Sequence, residues 1–460
     1  MKRVAVIGGG VAGLAATYEL ARQGRDGAPL QVVLFEASTR LGGIIETVHE
    51  GGFVIECGPD AWVTEKPWAR ELAEELGLSE EVMPSNDATR KTYVLVDKKL
   101  QAMPDGMRMM VPADLDALDA SELFSSEAKQ AYREEFARAD ELRAAAPKED
   151  ESVAEFVQRH FGDEVLAKIG APLLSGVFGG DVTKLSVRAV MAPFVAMERE
   201  HGSLIGALQA RAAATKKHSV FTTLRSGTGT LIDRMIASIP EDWIRLGADV
   251  RFVSYGEEGW LVGTARGVER FDALLMAAPV DVACSLLAPV DAEMAPMMEM
   301  DASSAVVVGF GFPDDTKFSV PPGFGCLVPP GSDSLLLAAT FVDQKFDDRV
   351  PQGGRLVRTF FGGKAAERLM RCGNDEIAAV ARMELARILG PLPEPQVTVV
   401  RRCPRSLPQY AVGHLERMKT LEERVSMLNG LWLLGNGYRG VGVPDLIRDA
   451  RAAARQVAGK

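Results

Sequence analysis

Glycines near the start of the chain have the spacing of a phosphate-binding turn. Residues 8–13 (GGGVAG) follow the apolar run 4–7 and precede helix-forming residues. This order predicts a buried strand, a tight turn and a helix. Gly8 permits the turn, Gly10 lets a phosphate approach the backbone, and Gly13 lets the helix pack against the strand. The free N–H groups at the start of that helix then point at the phosphate, so these residues indicate binding of a pyrophosphate.

A carboxylate stands at the end of the next predicted strand. Residues 30–35 are mostly apolar and lead directly into Glu36. A carboxylate in that place accepts hydrogen bonds from both hydroxyls of an adenosine ribose and repels a 2′-phosphate. The two motifs together predict a dinucleotide site for FAD or NAD rather than for NADP.

A further glycine motif separates these two cofactors. Residues 36–43 (EASTRLGG) place Arg40, Gly42 and Gly43 just past the ribose carboxylate, where they can meet the same pyrophosphate from the other side. The segment resembles the second phosphate motif of the flavin amine oxidase-like superfamily, and the resemblance implies FAD. The alternative is a charged turn between two strands.

Composition and charge limit the class of protein. The chain has 460 residues, 47% of them hydrophobic, which suits two or three structural units around a sizeable core. A formal net charge of −11 without a basic cluster argues against a nucleic-acid partner. The five cysteines are scattered and lack CxxC spacing, so neither a disulfide framework nor a metal site is indicated, and a cytoplasmic location is expected. No apolar run reaches the roughly 18 residues of a membrane span.

The order of the elements predicts an α/β protein. The order predicts an inserted helical domain and a β-rich domain, and the resemblance to the flavin amine oxidase-like superfamily implies a Rossmann-like FAD-binding domain of the GR2 type and a substrate role for the β-rich domain. Helical patterns dominate residues 78–214, where substrate or a membrane would be contacted, and short apolar strands dominate residues 280–400. The FAD-binding domain is then assembled from residues 1–77, 215–279 and 401–460.

Two features of the helical region carry expectations of their own. Residues 107–111 (MRMMV) form a methionine-rich cluster, which suits the core, a ligand wall or a membrane-facing patch. Core packing is the default interpretation, and peripheral contact with a membrane is an alternative. Ser152 and Glu155 have the spacing of a capping box, which predicts the start of a helix.

Further motifs follow in order along the whole chain. They are residues 93–96 (YVLV), 103–104 (MP), 172–181 (PLLSGVFGGD), 184–186 (KLS), 197–204 (MEREHGSL), 408–410 (PQY), 413–414 (GH) and 440–445 (GVGVPD). With them the chain resembles, from Lys2 to Val457, the oxygen-dependent porphyrinogen oxidases of haem synthesis, a family that contains protoporphyrinogen IX oxidase and bacterial coproporphyrinogen III oxidase. The resemblance implies oxidation of a porphyrinogen to the porphyrin. Three hydride transfers to FAD would each be followed by reoxidation with O₂ to H₂O₂.

The motifs and the resemblance together predict the FAD contacts. By resemblance, Val250 holds the adenine through its backbone, and the turn at Gly58 and Pro59 lies near the flavin ring. A second glycine-rich turn before a C-terminal helix can hold the pyrophosphate and the ribityl chain. The predicted contacts are Gly8, Gly10, Val11, Ala12, Gly13, Glu36, Ala37, Arg40, Gly42, Gly43, Gly58, Pro59, Val250, Gly435, Gly440, Val441, Gly442, Val443 and Pro444.

The resemblance also implies a substrate site. Gly176 is the candidate for close approach of the macrocycle, because a side chain there would intrude. Leu327, Leu337, Phe360 and Phe361 lie where the family has apolar substrate contacts. Plain sheet core is the alternative for each of these four residues.

Two positions depart from the family pattern. Protoporphyrinogen-type members of the family often have an arginine before the aromatic at Tyr93 that pairs with a propionate, whereas this chain has Thr92. Arg90 and Lys91 are then the candidates for propionate docking, with solvated surface charge as the alternative, and the change favours coproporphyrinogen III. Where relatives often have a tryptophan, this chain has Cys403, so looser packing against the flavin is expected there.

No side chain is predicted to act as a catalyst, because hydride passes to FAD. The histidines lack metal-ligand spacing, and His414 is interpreted as structural. The expected partners are a porphyrinogen and O₂, with hand-over to another haem-pathway enzyme as an open alternative. The rival functions are a flavin amine oxidase, for which the C-terminal motif offers only Tyr438 as a cage aromatic, a carotenoid desaturase-like oxidoreductase and a non-catalytic flavoprotein.

Overall fold

A five-stranded parallel sheet carries the predicted dinucleotide site. The computed structural model describes residues 1–25, 27, 30–214, 219–313 and 318–459, with only the backbone of residues 212–214. The strands lie in the spatial order Ile244–Arg245, Leu30–Phe35, Lys2–Ile7, Ala273–Met276 and Leu431–Leu433. All neighbouring pairs run parallel, so the carboxyl ends of the strands share one edge of the sheet.

The central strand of this sheet is buried on both faces. Val4 and Val6 pack into one core, while Ala5 and Ile7 pack into another on the opposite side. Because both faces are covered, the strand is a continuous apolar run rather than an alternating one. The first strand predicted from the sequence is thereby confirmed.

Helices and small antiparallel sheets surround the parallel sheet. The helices are Val11–Arg25, Trp68–Glu75, Gly229–Ala237, Val280–Leu287, Ala295–Met298, His414–Ser426 and Val443–Ala458, with 3₁₀ turns at Ser79–Glu81, Asp87–Thr89 and Glu241–Trp243. The small sheets pair Thr47–Glu50 with Phe53–Glu56, join Val250–Gly256, Gly259–Thr264 and Gly267–Phe271, and join Trp62–Val63, Phe221–Leu224 and Val82–Pro84.

A seven-stranded mixed sheet forms the β-rich part of the molecule. Its strands lie in the order Val397–Pro408, Ala302–Phe312, Arg355–Phe361, Ala338–Phe341, Gly325–Leu327, Thr92–Val96 and Lys99–Ala102. The helices Val342–Lys345, Gly363–Leu369 and Asn374–Leu389 belong to the same part of the chain. Two strands, Thr92–Val96 and Lys99–Ala102, come from the range for which a mostly helical domain is predicted, and Val397–Pro408 crosses the predicted boundary at residue 400.

The helical part lies between Leu115 and Ala214 and has its own core. Its helices are Leu115–Ala120, Ser126–Ala137, Ala139–Ala145, Val153–Phe161, Asp163–Val165, Ala171–Phe178, Val187–Val190, Ala192–His201 and Leu204–Ala214, with a π-helical turn at Leu166–Gly170. The predicted capping box is confirmed, because Ser152 Oγ accepts from the Glu155 N–H and the Glu155 carboxylate accepts from the Ser152 N–H.

The methionine-rich segment at residues 107–111 belongs to this core. Met110 and Val111 are fully buried, and Met107 and Met109 pack against the same cluster. The core interpretation is therefore confirmed for Met110 and Val111, and membrane contact of the half-buried Met107 and Met109 stays a prediction. Among the helices that the structure describes, none is both long and apolar enough to cross a membrane.

A buried carboxylate joins the helices at the two ends of the chain. Glu19 on helix Val11–Arg25 accepts hydrogen bonds from Arg451 Nε (2.8 Å) and Arg455 Nε (3.0 Å) on helix Val443–Ala458. Its side chain is fully buried. Burial acts to raise the pKa of Glu19, but hydrogen bonds from Arg22, Gln23 and Arg451 outweigh it and lower the pKa to about 2.

We predict that Glu19→Gln lowers the free energy of unfolding by about 3–5 kcal/mol, because Arg451 and Arg455 lose the buried carboxylate that they share and Arg451 keeps only Glu75 (2.7 Å). The folded-state pKa of Glu19 lies below its ordinary value of 4.5. Its contribution is therefore present above pH 4.5 and is lost as the pH falls towards 2. Urea unfolding at several pH values measures both effects.

Glu74→Gln is the matched control, because Glu74 makes an exposed pair with Arg70 at 2.8 Å. A change within about 0.5 kcal/mol is expected there. Equal losses in the two variants would contradict the role assigned to burial at Glu19.

Candidate functional site

The first glycine turn has the close contacts that its sequence predicts. Gly8 has a φ of +105°, and a Cβ built there would lie 2.5 Å from the Ala277 carbonyl oxygen. A Cβ on Gly13 would lie 1.8 Å from the Gly8 carbonyl oxygen, so only glycine lets the helix start directly on the strand. A Cβ on Gly10 would have no described heavy atom within 4 Å beyond its chain neighbours. The backbone at Gly10 is therefore open to an incoming phosphate.

The second glycine motif contacts this turn directly. The Gly42 N–H donates to the Gly9 carbonyl (2.8 Å), and Gly10 and Gly42 form a β-bridge. A Cβ on Gly43 would lie 3.2 Å from the Gly10 Cα. The two predicted phosphate motifs thus meet beside the buried first turn of the helix, which contains Val11, Ala12 and Gly13.

The carboxylate predicted to bind the ribose lies at the same place. The Glu36 side chain accepts hydrogen bonds from the Gly9 N–H (2.7 Å) and the Ser38 N–H (2.8 Å), while Ala37 is exposed beside it. The Ala248 N–H donates to the Glu36 carbonyl (2.8 Å), and the strand that starts at the buried Val250 follows. Glu36 and Val250, predicted for the two parts of an adenosine, are therefore neighbours.

Arg40 braces the loop in which it lies. Its guanidinium donates to the carbonyls of Leu41 (3.1 Å), Ile45 (3.3 Å) and Gly43. Nη2 also lies 3.4 Å from a Glu46 carboxylate oxygen. These contacts hold the shape of the glycine loop, and direct contact of Arg40 with phosphate stays a prediction.

The C-terminal glycine loop leaves the parallel sheet at the same edge as the first turn. The Leu434 N–H donates to the Met276 carbonyl and the Ala277 N–H donates to the Ile7 carbonyl, both at 2.8 Å, so three strand ends are in line. Gly435 follows with a φ of +124°, and a Cβ there would meet no described atom within 4 Å outside its chain neighbours. Gly10 and Gly435 are thus two open backbone positions on one edge of the sheet.

Tyr410 and His414 make hydrogen bonds to the backbone of this loop. The Tyr410 O–H donates to the Asn436 carbonyl (2.6 Å) and accepts from the Gly440 N–H (3.1 Å). His414 Nε2 bonds the Tyr438 carbonyl (2.9 Å), and its ring stacks on Tyr410 at 3.9 Å. Burial lowers the pKa of His414 to about 4, so the ring is neutral near pH 7. These contacts agree with the structural interpretation of His414.

The loop ends in helix Val443–Ala458. Val441 is half-buried before it, Gly442 caps it, and Val443 and Pro444 form its start, where the fixed φ of proline suits a first turn. Asp445 follows in the first turn and accepts a hydrogen bond from Lys66 Nζ (2.6 Å). Sequence reasoning missed this pair, since its two members lie far apart along the chain.

The turn at Gly58 and Pro59 is fastened on several sides. A Cβ on Gly58 would lie 2.2 Å from the Ile44 carbonyl oxygen, so glycine is required there. The Thr228 hydroxyl donates to the Pro59 carbonyl (3.1 Å), and the Arg358 guanidinium donates to the Gly58 carbonyl. Arg358 was not predicted from the sequence, because only the sheet brings it to this turn.

The predicted substrate residues of the mixed sheet divide between its two faces. Leu327 lies opposite Ala338, and Ala338 lies opposite Phe360, so these three side chains share one face. Phe361 follows Phe360 and points to the other face, where it is fully buried in the core of the sheet and its helices. The core alternative therefore applies to Phe361, and its prediction as a substrate contact is wrong.

Leu337 and Cys403 also lie in or beside this sheet. A Cβ on Gly362 would lie 2.4 Å from Leu337 Cδ1, so Leu337 packs at the end of strand Arg355–Phe361. Cys403 is buried and lies opposite Ala305. A substrate role for Leu337 stays a prediction.

Gly176 lies on a helix that approaches the sheet. Helix Ala171–Phe178 packs against strand Gly325–Leu327, and a Cβ on Gly176 would have open space around it within the described part of the chain. The helix follows a π-helical turn, a feature that is frequent at functional sites. Ser303 Oγ fixes its end by donating to the Gly179 carbonyl (2.6 Å). Contact between Gly176 and a macrocycle stays a prediction.

The candidate propionate ligands lie at the start of strand Thr92–Val96. Thr92 pairs with Gly325 and shares the face of Leu327. Lys91 Nζ lies 4.0 Å from an Asp105 carboxylate oxygen, and Arg90 is exposed. Propionate docking and solvated surface charge both remain open for Arg90 and Lys91.

The motif at residues 197–204 serves the core of the helical part. His160 is buried between Glu135 and Glu198, with both ring nitrogens 3.1 Å from carboxylate oxygens. Ser203 Oγ donates to the second oxygen of Glu135 (2.7 Å). Burial acts to lower the pKa of His160, but the hydrogen bonds and charges of Glu135 and Glu198 outweigh it and raise the pKa.

Comparison with known proteins assigns this arrangement to a family. A family model for flavin containing amine oxidoreductases matches residues 11–458. The chain belongs to this family. This membership confirms FAD as the cofactor and the α/β fold class. The two open glycine turns at one sheet edge and the carboxylate beside them agree with it.

Similar proteins extend over nearly the whole chain. A coproporphyrinogen III oxidase from Bacillus subtilis is 32% identical over 98% of this chain and 97% of its own length. Protoporphyrinogen oxidase 2, chloroplastic/mitochondrial, from Arabidopsis thaliana is 28% identical over 98% of this chain and 93% of its own. A solved structure from Exiguobacterium sp. 255-15, provisionally named protoporphyrinogen oxidase, is 29% identical with a TM-score of 0.87 over 99% of this chain and 98% of its own.

We predict that Gly10→Ala weakens FAD binding by about 10–100-fold, the cost of inserting one methyl group into a filled contact. The protein should still fold, because a Cβ at Gly10 meets open space. Titration of the apoprotein with FAD and thermal unfolding measure the two quantities. Gly24→Ala, on the helix that follows Gly10, is the control, since its Cβ is also unobstructed, and equal FAD affinities of the two variants would contradict the assignment.

We predict that His160→Gln lowers the free energy of unfolding by about 3 kcal/mol or more, because two buried carboxylates lose a shared cation. The raised pKa means that the contribution of His160 is fully present below pH 6.5 and is lost as the pH rises through the folded-state pKa. The free energy of unfolding of the variant, measured against pH, should lack this contribution of His160. His201→Gln, at a partly exposed position, should change stability by no more than about 0.5 kcal/mol.

Proposed function

We propose that this chain oxidises a porphyrinogen to the porphyrin, with O₂ as the electron acceptor and H₂O₂ as the by-product, in haem biosynthesis. The substrate is coproporphyrinogen III or protoporphyrinogen IX. The observation that carries the proposal is the apolar strip of the mixed sheet formed by Leu327, Ala338 and Phe360, between the flavin turn and the helix of Gly176. The full-length similarity to porphyrinogen oxidases supports the same reaction.

Protein covers both ends of this strip. On one side, Val94 lies opposite Leu327 and belongs to the core of the helical part. On the other side, the hairpin before the flavin turn packs against the sheet, because Cβ atoms on Gly309 and Gly311 would lie 2.7 Å from Ile55 and 3.0 Å from Phe53. A flat apolar ligand would thus lie on the strip between the helical part and the flavin turn.

This arrangement suits an oxidation without protein acid–base groups. Bound FAD supplies the hydride acceptor, and O₂ regenerates it three times for each six-electron oxidation. The chain has to hold the macrocycle, orient one edge and exclude water, and an apolar strip does all three. Among the described residues of the strip, none is ionisable.

An amine oxidase is less well supported by the site. The one aromatic that its C-terminal motif offers for an amine cage is Tyr438, which is buried in the core with Met294 and Met418. Hand-over to another haem-pathway enzyme, a cytoplasmic location and contact with a membrane stay predictions.

Turnover of both porphyrinogens, side by side, tests the proposal. The FAD-loaded protein is mixed with each porphyrinogen in air, and porphyrin fluorescence and H₂O₂ are followed together. We expect three H₂O₂ for each porphyrin, because each hydride transfer consumes one O₂. A yellow, folded protein that forms porphyrin from neither substrate would remove the oxidase function.

We predict that alanine substitutions at two neighbouring phenylalanines affect different quantities, the KM in one case and the free energy of unfolding in the other. Phe360→Ala should raise the KM for the porphyrinogen by about 10–100-fold, the loss expected when one aromatic contact is removed. Phe361→Ala should instead lower the free energy of unfolding by about 3–5 kcal/mol, because its side chain fills the core on the other face. Steady-state kinetics and urea unfolding of both variants measure these effects, and the reverse pattern would contradict the assignment of faces.

A further inference from the structure

One buried arginine touches both the flavin turn and the apolar strip. Arg358 lies on strand Arg355–Phe361, and its side chain is 2% exposed. Its guanidinium donates to the Gly58 carbonyl, and Nη1 lies 3.4 Å from an Asp60 carboxylate oxygen. The Cζ atom of this guanidinium lies 5.1 Å from the centre of the Phe360 ring, within the range of a cation–π contact.

The partner carboxylate is held by a second cation. Lys345 Nζ lies 2.9 Å from the same oxygen of Asp60, and the Thr223 hydroxyl donates to the Asp60 carbonyl (2.7 Å). Burial acts to raise the pKa of Asp60, but the charges of Lys345 and Arg358 outweigh it and lower the pKa to about 2. Asp60 is therefore ionised at any pH at which the protein works, and its charge fixes the guanidinium.

The position of Arg358 in the sheet explains this double contact. Arg358 and Phe360 are two residues apart on one strand, so their side chains share a face. Thr340 lies opposite Arg358, and Ala338 lies opposite Phe360. The guanidinium thus stands at the border between the strip and the flavin-domain hairpin, where a planar group with five donors can serve both sides.

We propose that Arg358 is a positioning residue that sets the flavin turn at Gly58 and the substrate wall at Phe360 in a fixed relation to each other. It contacts neither reacting atom. The inference rests on the proposed function, since it assumes that the macrocycle lies on the strip and the flavin ring at the turn. Loss of Arg358 would let the turn and the wall move separately.

The test uses Arg358→Met and Arg358→Lys in the FAD-loaded protein. For Arg358→Met we expect a shifted visible absorption spectrum of the bound flavin, an FAD affinity about tenfold lower and a kcat about 10–100-fold lower, with a smaller change in KM. Arg358→Lys should recover part of the FAD affinity, because it keeps the charge but cannot make the same two contacts.

Arg159→Met is the matched control. Like Arg358, Arg159 pairs with carboxylates, here Glu151 and Glu198, but it is only half-buried and lies in the helical part. It should lower the thermal unfolding temperature and leave the flavin spectrum and the FAD affinity unchanged. A folded Arg358→Met protein with the wild-type spectrum, FAD affinity and kcat would overturn the proposal.

Asp60→Asn keeps the test decisive if Arg358→Met does not fold. It preserves the size of the side chain and removes the charge that holds the guanidinium, so it should shift the flavin spectrum in the same direction. An unchanged spectrum in folded Asp60→Asn would also overturn the proposal. Failure of the wild type to oxidise either porphyrinogen would remove the proposed function, and the spectrum and FAD affinity of the variants would still decide whether Arg358 positions the flavin turn.

Discussion

The close approach of Gly13 to the Gly8 carbonyl is the contact on which the rest of the structure depends. A methyl group at that point would lie 1.8 Å from the oxygen, so the helix could not begin where the strand ends. Because it does begin there, its free N–H groups and the open backbone of Gly10 share one edge of the parallel sheet. The second glycine motif, Glu36 and the C-terminal loop all assemble around that edge.

The mixed sheet extends from this cofactor edge to the proposed substrate strip. One of its faces is covered at one end by the helical part and at the other by the flavin-domain hairpin, and the strip with Phe360 lies between them. Its opposite face is filled by its own helices and contains Phe361. A single sheet can thus serve as a packed core on one side and as a ligand wall on the other.

Buried charges tie the parts of the chain together. Glu19 joins the first and last helices, His160 joins the helices of the helical part, and Asp60 joins the flavin turn to Arg358 of the mixed sheet. In each cluster a carboxylate is paired and hydrogen-bonded, which buried charge requires. Such clusters fix the relative positions of the parts that they join, whereas an apolar contact would let those parts shift.

The resemblance of residues 36–43 to a motif of flavin enzymes identified FAD, and local patterns in the sequence were sufficient for the glycine turns, the first two strands and the Ser152 capping box. These features depend on residues within one turn or one strand of each other, so spacing alone reveals them. The tertiary structure alone decided that Thr92–Val96 enters the mixed sheet, that Phe361 faces the core, and that Arg358 reaches Asp60. Alternation in a strand shows that two neighbours face opposite ways, but only pairing and the packed layers decide which face is covered.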